Sequence, residues 1–136
     1  MEKTLVLIKP DVVSKKNVGK ILSVYEEDGL KIESIKILIP DSSLLHAHYS
    51  EHTEKPFFSE LMAFMMQDRL VAMILSGDSA ISRVRKLNGA TNPLKADEGT
   101  IRFLFGTDVT QNAVHGSANR ADALKEISLW FPELTQ

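Results

Sequence analysis

Short apolar runs of strand length alternate along this chain with segments of helical periodicity, and this order constrains the fold more than any other feature. The runs cover residues 4–9, 30–39 and 71–75, with a fourth near Val114, and helical spacing occurs at 18–29, 41–49, 56–65, 78–89 and 118–130. Strands separated by helices predict an α/β sandwich. Two βαβ-type units of this size indicate an α+β fold of the ferredoxin-like kind, a four-stranded antiparallel sheet with helices packed on one face.

The residues at the ends of these segments refine the prediction. The Pro-Asp pair at 10–11 would stop the first strand and form a turn. Asp78 would cap a helix that Gly89 ends. Between residues 88 and 114 the periodicity is lost, while Gly, Thr, Asn, Pro and Asp accumulate. Long loops of this kind in a compact domain are usually functional.

The overall composition limits the class of protein. With 136 residues, 43% of them hydrophobic, the chain can bury one core, and we expect a single domain over residues 1–136. Its formal net charge is −2, so neither nucleic acid nor an anionic membrane is an expected partner, and an anionic ligand would need a local cluster of cations. The apolar stretch 5–8 is too short for a signal peptide or a membrane span, which predicts a cytoplasmic location. The sequence has no cysteine, which excludes disulfides and thiolate chemistry.

His115 is the first candidate for chemistry. Gly116 follows it and leaves steric freedom around an imidazole that could act as a nucleophile. Glu126 lies on the helix that starts just after, where its carboxylate could turn back and fix the tautomer of the ring, and Ser117 could complete the hydrogen-bond network. The alternative is a histidine in a turn with no catalytic role, which is the commoner case for an isolated His-Gly pair.

Cationic residues near the ends of strands and loops are the second set of candidates. The sequence contains neither a Walker loop nor a GxGxxG motif, so a triphosphate would have to be neutralised by side chains and a metal ion. Lys9 follows the first strand, and Arg85, Thr91 and Arg102 lie in or just before the long loop. Arginine forks suit phosphate oxygens. From its spacing alone, Arg85 also fits a solvated helix face.

Two further groups have open interpretations. His46, His48 and His52 include one pair four residues apart, a spacing at which two imidazoles on a helix can share a zinc ion, but exposed histidines near a helix end are common. Phe57 and Phe58 would ordinarily be core residues, and one of them could instead be exposed and stack on a base.

Taken together and in order, these segments resemble the nucleoside diphosphate kinase family over essentially the whole chain. The signature is Asn112, two further residues, and then His-Gly-Ser at 115–117, with Lys-Pro-Asp at 9–11 after the first strand. The stretches 49–52, 56–58, 89–93 and 99–102 match the family as well.

The resemblance implies a ferredoxin-like domain and a ping-pong reaction. A nucleoside triphosphate would phosphorylate His115, and a nucleoside diphosphate would then accept the phosphate. Glu126 and Ser117 would orient the nucleophile, and Mg²⁺ would enter as a bridge between the nucleotide phosphates. Further residues would hold the substrate: Lys9, Tyr49, His52, Arg85, Thr91 and Arg102 at the phosphate and nucleophile end, Asn112 with Lys9 at the ribose, and Phe57 and Val109 on either side of the base.

The resemblance also bears on assembly and on alternatives. The family forms dimers that assemble into tetramers or hexamers, so a homo-oligomer is expected. Where the family usually has an aspartate after the His-Gly-Ser motif, this chain has Ala118 followed by Asn119, which could take over the helix cap. Ala118 motivates a second hypothesis, a nucleotide-binding module of the same fold with weakened turnover. The third is a single-strand nucleic-acid-binding domain, since ferredoxin-like sheets with exposed aromatics can bind single strands.

Overall fold

The computed structural model describes residues 1–134, and four strands form one sheet at its centre. The strands are β1 (Glu2–Ile8), β2 (Lys31–Leu38), β3 (Leu70–Gly77) and β4 (Val114–Gly116). Their order across the sheet is β2-β3-β1-β4, and each neighbouring pair is antiparallel. The predicted ferredoxin-like α+β fold is therefore confirmed.

Helices connect the strands and follow the periodic segments of the sequence. Those in the described part of the chain are α1 (Pro10–Ser14), α2 (Val18–Glu27), α3 (Ser42–His48), α4 (Phe58–Met66), α5 (Ala80–Asn88), α6 (Ile101–Phe105) and α7 (Arg120–Trp130), with 3₁₀ turns at Pro93–Lys95 and Pro132–Leu134. Within residues 1–134, no helix combines the length and the apolar character needed to cross a lipid bilayer.

Helices cover both faces of the sheet, so the prediction that they pack on one face is wrong. Val6 and Ile8 of β1 pack with α2, α5 and α6 on one side, and Leu5 and Leu7 pack with α3, α4 and α7 on the other. The physical reason lies in the strands: β3 is buried along its whole length, as is the second half of β1. Since successive strand residues point to opposite faces, an uninterrupted buried run requires cover on both.

The start of α5 differs from the prediction that Asp78 caps it. The residue before the helix is Ser79, in the left-handed conformation at φ 53°, and it makes no side-chain cap. The Ile81 backbone N–H instead donates to Glu2 Oε1 at 2.9 Å. A carboxylate from strand β1 therefore satisfies the first turn of α5, a contact between segments far apart in the sequence.

Two segments expected to be irregular contain short helices. Pro10 starts α1 rather than a turn alone, which suits proline because the first helical position needs no N–H bond. The long loop between residues 88 and 114 contains the turn Pro93–Lys95 and helix α6. Thr100 caps α6 by accepting a backbone N–H with its side chain. The loop is thus folded back on itself rather than extended.

Candidate active site

Pairing between β1 and β4 places Lys9, just after β1, near the strand that carries His115. Leu7 lies opposite His115 in the register, and the Lys9 N–H continues the pairing by donating to the Ala113 carbonyl at 2.8 Å. Ala113 has φ 74°, and Asp11 Oδ2 accepts its N–H at 3.1 Å. A carboxylate therefore holds a backbone conformation that non-glycine residues rarely adopt, directly before the strand that carries His115.

A chain of hydrogen bonds behind His115 fixes its ring. His115 Nε2 lies 2.8 Å from Glu126 Oε1, and Ser117 Oγ donates to the same oxygen at 2.7 Å. The Leu5 N–H of the neighbouring strand donates to Ser117 Oγ at 3.2 Å. Because a carboxylate oxygen accepts, the proton of the imidazole sits on Nε2, and the lone pair is left on Nδ1.

Gly116 is needed at its position because α5 packs against it. A Cβ there would come within 2.9 Å of the Val84 side chain and 3.0 Å of Asn88 Nδ2. From the sequence, this glycine is expected to leave steric freedom around the imidazole. The structure adds that it lets a helix approach the strand closely.

The predicted site residues converge on one cavity of about 740 Å³. Ser117 lies behind the cavity and is fully buried. The other predicted residues line it, namely Lys9, Tyr49, His52, Phe57, Arg85, Thr91, Arg102, Val109, Asn112, His115 and Glu126. They come from the end of β1, the connection between α3 and α4, helices α5 and α7, strand β4 and the long loop. The fold thus brings together residues more than 100 positions apart in the chain, such as Lys9 and Asn112.

Lys9 and Asn112 form a polar bridge at the floor of the cavity. Lys9 Nζ donates to Asn112 Oδ1 at 2.8 Å, and Asn112 Nδ2 donates to the Thr91 carbonyl at 3.0 Å. Burial, together with the charge of Arg102, lowers the pKa of Lys9 to about 8, and Asp11 opposes both effects. The site therefore contains a cation that is poorly compensated while no anion is bound.

Arg102 is held rigidly beside this bridge. Its two terminal nitrogens donate to the carbonyls of Gly89 and Val114, each at 2.8 Å. Its Nε is buried without a hydrogen-bond partner in the described part of the chain. Burial lowers the pKa of Arg102, and Arg85 lowers it further. Arg85 itself is exposed and also lines the cavity. It therefore lies on a solvated helix face and at the candidate site at the same time.

Aromatic residues line the opposite end of the cavity. Phe57 is 46% exposed and Val109 is 59% exposed, whereas Phe58 packs into the core with α3 and α4. The question left open by the sequence is thereby decided: Phe57 is the exposed ring. His52 lies beside it at 5.9 Å between ring centroids. Burial raises the pKa of Tyr49, the remaining aromatic residue of the wall, so its hydroxyl stays protonated.

His48 is the cavity residue that sequence reasoning did not assign to the site. Its ring centroid lies 4.7 Å from that of His115, and Trp130 Nε1 donates to its Nδ1 at 3.0 Å. The zinc pair considered for His48 and His52 is not formed on a helix, because α3 ends at His48. Instead, the described residues bring His48 together with His115 and Glu126. Its place directly before Tyr49 is the signal that could have identified it.

The position of Ala118 leaves the neighbouring helix capped. Asn119 Oδ1 accepts the Asp122 N–H at 2.8 Å, so the predicted substitute cap is confirmed. Helix α7 is thus capped at its N-terminus, and it positions Glu126 beside the His115 imidazole. Ala118 lines the cavity, where the family usually has a carboxylate.

A carboxylate-bonded histidine among clustered cations, on a ferredoxin-like sheet, defines a nucleotide phosphotransferase. The family model for nucleoside diphosphate kinase matches residues 2–135. The nucleoside diphosphate kinase of Clostridium perfringens is 48% identical over 134 residues, 98% of this chain and 94% of that protein, and that of Thermobifida fusca is 48% identical with 98% and 99% covered. The chain therefore belongs to the nucleoside diphosphate kinase family, as the resemblance indicated, and it is an enzyme.

Solved structures agree with this assignment. The apo nucleoside diphosphate kinase of Encephalitozoon cuniculi superposes with a TM-score of 0.96 at 40% identity, covering 100% of this chain and 92% of that one. The enzyme of Halobacterium salinarum in complex with CDP superposes with a TM-score of 0.93 at 39% identity, covering 96% and 87%.

Proposed function

We propose that the enzyme transfers the terminal phosphate of a nucleoside triphosphate to a nucleoside diphosphate in two steps through a phosphorylated His115. The observation that carries the proposal is the hydrogen bond between His115 Nε2 and Glu126, which leaves the Nδ1 lone pair on a cavity-lining ring. In the first step, Nδ1 forms a bond to the γ-phosphorus, the bond from that phosphorus to the β–γ bridging oxygen breaks, and the diphosphate leaves. In the second, a terminal oxygen of the new diphosphate attacks the phosphorus and the P–N bond breaks.

The residues around the nucleophile have roles that follow from their chemistry. Lys9, Arg102 and Arg85 would balance the charge of the phosphates, with Arg102 already aligned by its two carbonyl bonds. Thr91, Tyr49 and His52 would lie along the same wall. Asn112 and Lys9 would exchange their mutual hydrogen bond for bonds to the ribose hydroxyls.

The base would lie between Phe57 and Val109 at the open end of the cavity. Stacking of this kind uses the π-face that every base has, which supports broad base specificity. Both side chains are about half exposed, so the base edge would remain largely in solvent and make few selective hydrogen bonds.

Mg²⁺ fits the site as an ion carried by the substrate. It prefers oxygen ligands in octahedral geometry, but the phosphate end of the cavity presents the donors Lys9, Arg102 and Asn112, and Glu126 Oε1 already accepts from two side chains. The phosphate oxygens and water would therefore hold it. When bound, it would neutralise part of the phosphate charge.

The edge of the sheet supports the proposed homo-oligomer. Strand β2 is an outer strand, and Ile35 and Ile37 on it and Ile39 just after it are 47%, 62% and 56% exposed. An exposed apolar edge strand is a template for pairing with another chain. We propose a dimer through β2 as the unit of a tetramer or hexamer. A single domain over residues 1–136 and a cytoplasmic location remain predictions.

The two alternative functions have less support. A module with weakened turnover was suggested by Ala118, but Asn119 supplies the helix cap and the bond between Glu126 and His115 is intact. A single-strand nucleic-acid domain would need exposed aromatics on an open sheet face, whereas helices cover both faces of this sheet.

Labelling of the protein tests the proposed function. Incubation with γ-labelled ATP and Mg²⁺ should leave acid-labile, alkali-stable label on the protein, and unlabelled GDP should remove it as labelled GTP. His115→Ala should take up no label. The matched control is His46→Ala, an exposed histidine of α3 that lies outside the cavity, and it should label normally. Nucleotide binding without label on the wild type would favour the weakened module instead.

A further inference from the structure

Two histidines in the cavity have hydrogen bonds of opposite sense. The rings of His48 and His115 lie 4.7 Å apart between centroids, at an angle of 75°. His115 meets its partner Glu126 through Nε2, and His48 meets its partner Trp130 through Nδ1. The partners differ in kind, since a carboxylate accepts a proton and an indole donates one.

These partners determine which nitrogen of each ring is free. The indole N–H of Trp130 can only donate, so His48 Nδ1 must accept and the neutral ring carries its proton on Nε2. In His115 the proton is also on Nε2, but there the N–H is hydrogen-bonded to Glu126, and the Nδ1 lone pair is free. One ring therefore offers a lone pair, and its neighbour offers an N–H.

His48 stays neutral in this setting. Burial lowers its pKa well below the usual value, and the positive charges of Lys9 and Lys125 lower it further. His48 lines the cavity, whereas Trp130 is 1% exposed and lies in the core behind it. The Nδ1 side of the ring thus faces the core. Among residues 1–134, no protein group is hydrogen-bonded to Nε2, and that atom is not sealed from solvent.

We propose that His48 Nε2–H donates a hydrogen bond to an oxygen of the phosphoryl group in transfer, and that Trp130 is a positioning residue that locks His48 in this tautomer. The same lock removes the Nδ1 lone pair of His48, so His48 cannot compete with His115 as nucleophile. The inference rests on the proposed function, because it requires a phosphoryl group at His115.

The lock also argues against a metal ion at the neighbouring carboxylate. His48, His115 and Glu126 offer ligand atoms within 4.8 Å of one another. A metal, however, needs a lone pair from each imidazole. His48 could provide one at Nε2 only by moving its proton to Nδ1, where the Trp130 N–H would then lose its acceptor.

The tautomer is measurable without any nucleotide. Two-bond ¹H–¹⁵N couplings in the ¹⁵N-labelled protein should show His48 with an unprotonated Nδ1 and a protonated Nε2, unchanged between about pH 6 and pH 8. With four histidines in the chain, His48→Gln identifies the signals. Trp130→Phe keeps the packing but removes the donor, and should give a mixture of tautomers. A wild-type His48 that is protonated on Nδ1 would overturn the inference.

A matched pair of substitutions tests the donor role. Glutamine places an amide N–H near the position of Nε2, whereas asparagine places its amide near Nδ1 and offers nothing at Nε2. We expect kcat to fall at least ~10-fold for His48→Asn, to fall only a few-fold for His48→Gln, and KM to change little, because the bond acts in the transition state. Equal activity of the two variants would contradict the proposal.

The double variant separates positioning from general damage. Trp130→Phe alone should lower kcat several-fold, measured below the unfolding temperature of every variant, and should lower kcat no further in the His48→Gln background, since an amide needs no tautomer lock. Full additivity would mean that Trp130 acts through packing alone. Absence of phosphoenzyme in the wild type would instead count against the proposed function, and the NMR result would still decide the tautomer.

Discussion

At the scale of single residues, the cavity contains charge that the free protein does not compensate. Lys9 is 6% exposed, and its Nζ has the neutral Asn112 oxygen as hydrogen-bond partner. Burying an ammonium group disfavours its charged form, and the adjacent Arg102 adds to this effect. Such a site lowers the stability of the free protein and favours the binding of a polyanion, which is the arrangement expected where phosphates bind.

The depressed pKa of Lys9 makes stability depend on pH. The folded pKa of about 8 lies below the ordinary value of 10.5, so between these limits the unfolded chain binds more protons and stability rises with pH. Below pH 8 the full penalty applies, on the order of 3 kcal/mol. In the free protein, the free energy of unfolding of wild type relative to Lys9→Met should therefore rise from about pH 8 to pH 10.5.

Urea unfolding at several pH values measures this difference. Lys95→Met is the matched control, because Lys95 is exposed on the Pro93–Lys95 turn, and its difference from wild type should not vary with pH in this window. A flat difference for Lys9→Met as well would show that Lys9 is ionised without cost in the folded protein.

At the scale of secondary-structure elements, α7 links the end of the sheet to the nucleophile. It starts at Arg120, directly after the turn that follows β4, and it carries both Glu126 and Trp130. His115 donates to the first and His48 accepts from the second, so both side-chain partners lie on one helix. A shift of the N-terminus of α7 would therefore displace Glu126 and Trp130 together.

The cap of α7 should contribute measurably to stability. Asn119→Ala removes the acceptor of the Asp122 N–H, and loss of such a cap costs about 1 kcal/mol. For a domain of this size, this corresponds to a decrease in Tm of roughly 3–4 °C. Asn119→Asp keeps the acceptor and adds a negative charge at the helix N-terminus, but it replaces the Asn119 Nδ2 donor that lies 3.4 Å from Asp122 Oδ2 with a second carboxylate, so its Tm should lie between those of Asn119→Ala and wild type. Scanning calorimetry of the three proteins decides, and an unchanged Tm for Asn119→Ala would rule out a role for this cap.

The sequence predicts the elements well where the determining contacts are local. The strand runs, most of the helices, the Asn119 cap and the network of Glu126 with His115 follow from spacing within one segment or between neighbours. What it does not predict depends on contacts between distant segments: Glu2 at the start of α5, and Trp130 against His48, 82 residues away. The resemblance to a family supplied the cavity residues, since spacing alone left Arg85 and Phe57 undecided.

At the scale of the whole molecule, the two edge strands of the sheet differ in length and in exposed apolar surface. The β4 edge is short and ends in the cavity, and β4 pairs with β1 over three residues. The β2 edge is eight residues long and carries the exposed Ile35 and Ile37, with exposed Ile39 directly after it. A long apolar edge is an aggregation risk unless something covers it. A second copy of the same chain, paired in an isologous way, would cover it with a matching surface.

Pairing through β2 would make the oligomer sensitive to charge on that strand. Ile37 is 62% exposed, so Ile37→Lys should leave the isolated fold intact but place two like charges near each other across a two-fold interface. We expect wild type to elute as an oligomer in size-exclusion chromatography with light scattering, and the variant to shift toward the 15.2 kDa monomer. Leu124→Lys, at a 72% exposed position on α7, is the control and should not shift. A wild-type protein of 15.2 kDa, or an unshifted Ile37→Lys, would mean that β2 remains a free edge.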